Sequence, residues 1–191
     1  MNILYLPGQG IYNEAEWKSV TDALEESGHN VIKHRWRKWD DVSYESWVGS
    51  YELGVIEKEM SDKFGIVPKT LTPDLSQERE KYSIVAKSIG TLLSLNLIED
   101  YEEQIDKVVF MGLPIQNWEE DSKNERLEKY KQVLGKTKLE ITIIQNSNDP
   151  LGSFEFINEQ FGEFKNIELI ETEAFDHGYD YPELINDIIN L

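Results

Sequence analysis

Six runs of β-forming residues, Asn2 to Leu6, Asn30 to Trp36, Tyr82 to Ala86, Lys107 to Met111, Leu139 to Gln145 and Asn166 to Glu171, recur between stretches with helical periodicity. This alternation constrains the fold more than any other feature of the chain. Strands separated by helices pair in parallel, and a parallel sheet buries both of its faces. The runs KVVFMG and ITII agree, because a strand covered on both sides has no polar face to show. The expected class is α/β: a mostly parallel six-stranded sheet with helices on both faces.

The helices carry their own punctuation. Asn13 with Glu16 forms a capping pattern ahead of Trp17, Val20 and Leu24 on one face, and Gly28 ends that helix. A second helix is expected from about Tyr44 to Met60, with Tyr44, Trp47, Val48 and Tyr51 at helical spacing. A third pairs Ser122 with Glu125, buries Leu127, Tyr130 and Leu134, and stops at Gly135; the last has Pro182 in its first turn, then Leu184, Ile185 and Ile188. Residues 61–81, with two prolines and no sustained period, read as one long loop of the kind that often covers a site.

Composition narrows the function. At 191 residues the chain is expected to form one domain, 1–191. Thirty-seven acidic against nineteen basic residues give a formal charge of -18, which repels nucleic acid and anionic membranes. There is no cysteine, so thiolate nucleophiles, disulfides and Cys-based zinc sites are excluded. The N-terminal residues Met1 to Leu6 lack a charged leader region, and no apolar run approaches the roughly 20 residues that span a bilayer, so the expected address is cytoplasmic.

Ligands of an open parallel sheet bind beyond the carboxyl ends of its strands. The residues found there are PGQG, Pro7 to Gly10, after the first strand; Lys87, Ser88, Ile89 and Gly90 after the third; Asp149 in NSNDP after the fifth; and His177 in FDHGY after the sixth. A hydroxyl, a carboxylate and an imidazole therefore meet at one edge. His177 is the one histidine of three so placed, since His29 precedes the second strand and His34 lies within it. Asp176 is a rival acid, but it adjoins His177 and neighbouring side chains rarely meet in the required geometry. Ser88 has a plain structural role open to it as a helix N-cap, and Asp149 before Pro150 is an ordinary turn signal.

AKSIG around Ser88 resembles the nucleophile elbow of the α/β-hydrolase family, with Ala86 in place of the first glycine, and the order Ser88, Asp149, His177 is the order that family uses. The resemblance covers essentially the whole chain, in a compact version without a cap domain. It implies that Ser88 is a nucleophile, that His177 is its general base and that Asp149 orients the imidazole. It further implies an oxyanion hole made by the amide of Ile89 and that of Gln9, with Gly10 the alternative; PGQG departs from the His-Gly common in the family. The implied activity is a serine hydrolase cleaving a small carboxylic ester, thioester or amide through an acyl-enzyme, with a small-molecule acyl substrate and no metal or cofactor.

Two other readings stand beside this one. The first is a catalytically silent hydrolase-fold protein that binds a protein partner, with the 61–81 loop as a surface. The other is a nucleotide site on Gly8 and Gly10, which is weakened because the third glycine of a GxGxxG fingerprint falls on Asn13. The basic cluster KHRWRKW, 33–39, reads as a solvated rim paired with Asp40 and Asp41, or as a contact for an anionic group. Trp17 and Trp47 read as core, while Trp36 and Trp39 fit either role.

Overall fold

A computed structural model describes residues 1–8, 14–36, 51–66, 80–116 and 120–191. Six strands, β1 (Asn2–Leu6), β2 (Asn30–Lys33), β3 (Tyr82–Lys87), β4 (Ile105–Met111), β5 (Ile141–Asn146) and β6 (Ile167–Thr172), form one sheet in the order β2-β1-β3-β4-β5-β6. Every neighbouring pair is parallel. The register aligns Leu4 with Ile84, Ile84 with Val108, Val108 with Ile141 and Ile141 with Ile167, so β-branched and leucine side chains stack straight across the sheet.

Strand alternation divides the core in two. Leu4, Leu6, Ile84, Ala86, Val108, Phe110, Ile141 and Ile143 face one side, and Ile3, Tyr5, Val85, Val109, Met111 and Ile144 face the other. The first side is covered by α2 (Tyr51–Phe64), α3 (Ile89–Tyr101), α4 (Glu120–Leu134) and α5 (Phe154–Phe161). The second is covered by α1 (Glu14–Glu26) and α6 (Pro182–Asn190), through Val20 and Leu24 of one and Ile185, Ile188 and Ile189 of the other. The doubly covered parallel sheet expected from the alternation is the one observed.

Several boundaries differ from the expectation. β2 stops at Lys33, so His34 lies just past the strand and not within it; its amide still reaches Tyr5 O at 3.0 Å. Residues 61–64 belong to α2 and not to a loop, because Ile56, Met60 and Phe64, four residues apart, continue one buried face. Residues 67–79, Tyr44 to Ser50, and Asn13 lie outside the described residues, as do the side chains of Trp17, Trp39 and Trp47. α5 is an addition to the expected helices; its start is marked by Ser153, whose side chain accepts from the Phe156 amide.

The contact that fixes β1 against α3 is made at Gly90. A Cβ there would stand 2.3 Å from the carbonyl oxygen of Leu6, which is backbone and cannot step aside. Gly90→Ala should therefore lose about 1–3 kcal/mol by overpacking, at roughly 2–4 °C of Tm per kcal/mol for a domain of this size. Thermal melts followed by circular dichroism check it, and an unchanged Tm would show that the helix can shift freely.

Candidate active site

Strand β3 ends directly in α3, and the residue at the junction carries the strain. Ser88 has φ 51 and ψ -123, and it alone among the described non-glycine residues has a positive φ. Such a conformation costs about 1–3 kcal/mol and persists only where its surroundings impose it. The surroundings here are visible. The Ser88 amide donates to Met111 O at 2.9 Å, and the Ser88 carbonyl accepts from the Thr91 amide at 2.9 Å and its hydroxyl at 2.5 Å. Ser88 is thus held by the neighbouring strand on one side and by the first turn of α3 on the other. Gly8 lies against it; a Cβ on that residue would be 3.1 Å from the Ser88 Cβ.

The turn after β5 supplies a buried carboxylate. Asp149 is 2% exposed, and its two oxygens do different work. Oδ1 accepts from the Leu151 amide at 2.8 Å, which closes the Asp-Pro turn. Oδ2 accepts from His177 Nδ1 at 2.7 Å, from the Tyr179 hydroxyl at 2.5 Å and from Gln145 Nε2 at 3.2 Å. A carboxylate with this many donors is well compensated for burial. Tyr179 also accepts from the Asn146 amide at 3.1 Å. Burial pushes its phenol well above the ordinary tyrosine range, and the charge of Asp149 adds to the shift, so it remains a proton donor.

His177 arrives on the loop between β6 and α6. Asn146 Nδ2 pins that loop through the carbonyls of Asp176 at 2.9 Å and Gly178 at 2.8 Å. Gly112, with φ 62, makes room for it: a Cβ there would fall 2.4 Å from the Tyr179 ring and 2.9 Å from the imidazole. The Asp176 carboxylate accepts from the Gly178 amide at 2.9 Å. It closes its own turn, and the acid on the imidazole is Asp149. The second ring nitrogen, His177 Nε2, is buried and has no hydrogen-bond partner among the described residues.

A cavity of about 210 Å³ opens over these groups. Ser88, Ile89, Leu92, Pro114, Arg126, Leu151 and His177 line it. Serine and imidazole therefore share one small, largely apolar chamber, with Ile89 at the head of α3, where amides lack intrahelical partners. Among the described residues no group of three His, Asp or Glu is arranged to hold a metal ion.

No protein-family model matches the chain, and no curated protein matches it. Solved structures do. The chain is similar to the esterase Pf2001 of Pyrococcus furiosus (17% identity, 98% of this chain and 80% of that one covered, TM-score 0.67). It is also similar to the 2-hydroxy-6-oxo-6-phenylhexa-2,4-dienoate hydrolase BphD of Rhodococcus sp. strain RHA1 (15%, 98% and 88%, TM-score 0.67). A third is a mutant form of the meta-cleavage product hydrolase CumD of Pseudomonas fluorescens IP01, complexed with acetates (14%, 100% and 90%, TM-score 0.64). The chain has the α/β-hydrolase fold.

Within this α/β-hydrolase core, Asp149 and His177, 28 residues apart, are joined by a hydrogen bond, and Ser88 and Ile89 share a cavity wall with the imidazole. Gln9 and Gly10 lie outside the described residues. Trp36 belongs to the wall beside β1: it donates to Pro7 O at 3.1 Å and stands edge-on to His34. His34 Nε2 in turn lies 2.7 Å from Glu52 Oε2, both side chains fully buried. Lys87, which an elbow would be expected to turn away from the site, is 3% exposed, and its ammonium lies 5.9 Å from the centroid of the Tyr179 ring. The residues that sequence reasoning missed are Gln145, Asn146, Tyr179 and Arg126. Of these Tyr179 had a signal in its place two residues after His177, and Asn146 in its place at the head of the NSNDP turn.

Among the described residues no helix is long and apolar enough to cross a membrane.

Proposed function

We propose that the protein is a cytoplasmic serine hydrolase, a single catalytic domain that cleaves a small carboxylic ester or thioester through an acyl-enzyme on Ser88. One observation carries the reading: a serine held at positive φ shares a cavity with an imidazole whose far nitrogen is fixed by a buried aspartate. In this reading His177 Nε2 takes the Ser88 proton as the oxygen attacks the carbonyl carbon. Asp149 keeps the remaining proton on Nδ1 and stabilises the imidazolium. Negative charge on the carbonyl oxygen is met by the amide of Ile89 and by that of Gln9 or Gly10. His177 then returns the proton to the leaving group, and water activated by the same nitrogen releases the acid. Structures named as an esterase and as hydrolases share the fold, which supports the class of reaction.

Ser88 and His177 face one cavity without a hydrogen bond between them, and catalytic hydrogen bonds often tighten only as the reacting complex forms. Treatment with a fluorophosphonate tests the reading directly. Rapid formation of one adduct, located on Ser88 by mass spectrometry, is expected. A protein that stays unlabelled would favour the silent, partner-binding alternative.

A further inference from the structure

The cavity above Ser88 has apolar walls in Ile89, Leu92, Pro114 and Leu151, and one permanently charged residue, Arg126. Arg126 is 9% exposed, an unusual degree of burial for an arginine on a helix. Its height in the fold follows from its neighbours. α3 and α4 both lead from a strand's carboxyl end back toward the start of the next strand, so both begin at the edge where Ser88 lies. Tyr130 of α4 is hydrogen-bonded to Thr91 in the first turn of α3. Arg126 precedes Tyr130 by four residues on the same helix face, about 6 Å nearer that edge. That step brings it from the level of Thr91 to the level of Ser88.

We infer that Arg126 reads an anionic group on the substrate, so that the ester or thioester carries a carboxylate a few atoms from its scissile carbonyl. The inference rests on the hydrolase reading of Ser88 and names the substrate class for it. A guanidinium presents five donors in a planar fork, so a contact it makes elsewhere on the protein leaves others for a ligand, and the fork matches a carboxylate. The volume, about 210 Å³, suits a short chain. The setting adds selectivity. In a chain of formal charge -18 the distant field disfavours anions, so recognition of one depends on a cation placed where water is scarce.

Three esters of similar size test this on the wild-type protein and on R126Q: ethyl butyrate, monoethyl succinate with the charge on the acyl side, and the butyrate ester of glycolic acid with the charge on the alcohol side. The wild type should prefer one charged ester over ethyl butyrate by roughly ten- to hundredfold in kcat/KM, the value of a charge-assisted hydrogen bond. In R126Q that ratio should fall to near unity, and in R126K it should be partly retained. The ratio is independent of how much of a variant is folded. A wild type without the preference, or an R126Q protein that keeps it, overturns the inference. Calorimetry on S88A and on S88A with R126Q separates the two claims. Tighter binding of the charged ester, lost with R126Q, would uphold the role of Arg126 even if no ester were cleaved, an outcome that would sink the hydrolase reading alone. Equal binding of charged and neutral esters would overturn the role.

Discussion

Ser88→Ala protein should lose at least about 10³-fold in kcat, against an ester that the wild type cleaves, while melting with its parent. The size of the loss follows from the geometry. On the proposed mechanism, removing the oxygen leaves no atom at the end of β3 for His177 Nε2 to deprotonate, and what survives is the contribution of the oxyanion donors and of binding. The fold should not notice. Alanine has the same backbone restrictions as serine, so the strain at φ 51 is unchanged, and the amide bond to Met111 O does not involve the side chain. Steady-state kinetics with active-site titration read the first part and thermal melts the second. Undiminished kcat in this variant would end the assignment of Ser88 as nucleophile.

Asp149→Asn should be almost as damaging, by on the order of 10³- to 10⁴-fold in kcat, and unlike the serine variant it should also lower Tm. An amide has one acceptor where the carboxylate has two. If its oxygen stays with His177 Nδ1, Tyr179 and Gln145, its NH₂ is turned on the Leu151 amide, donor against donor; turned the other way it faces three donors at once. Either arrangement leaves a buried donor unpaired, at a cost of about 1–3 kcal/mol. The expected kinetic loss has a separate origin: on the proposed mechanism an imidazolium forms as Ser88 gives up its proton, and a neutral amide does not stabilise it. Kinetics and thermal melts on one preparation measure both. Near-normal kcat with a lowered Tm would mean that Asp149 serves the turn alone.

The parts of this molecule legible in its sequence are those governed by local periodicity. β1 appears with its predicted ends because Ile3 to Leu6 is one apolar run set between Asn2 and Pro7. The pattern ends α2 early, at Met60, because Ser61, Asp62 and Lys63 look like a loop, although Phe64 continues the buried face. α5 escapes notice because its eight residues give barely two turns of pattern. The site divides the same way. Ser88, Asp149 and His177 each follow a strand, and a parallel sheet gathers strand ends at one edge whatever the distances along the chain. Gln145 and Asn146, in contrast, are the last two residues of β5; in the sequence Gln145 reads as strand and Asn146 as the start of the turn after it. What makes them part of the site is the loop that folds back about 30 residues later onto their side chains. Arg126 sits in a helix full of charges, and only the packing of α4 on α3 sets it apart from Lys123 or Lys129.

Asn146 grips the histidine loop with both ends of its amide: Nδ2 donates to the main-chain carbonyls of residues 176 and 178, and Oδ1 accepts from the Tyr181 hydroxyl at 2.8 Å. Peptide groups are alike in every residue, so the Nδ2 half of this hold does not depend on the side chains of residues 176 and 178, whereas the Oδ1 half needs the phenol of Tyr181. Phe175, 81% exposed at the loop's approach, is outside it altogether. The loop that carries the imidazole is therefore held by bonds in which the exposed Phe175 side chain takes no part. A substitution at Phe175 therefore changes the surface two residues before His177 without touching the bonds that set the position of the ring.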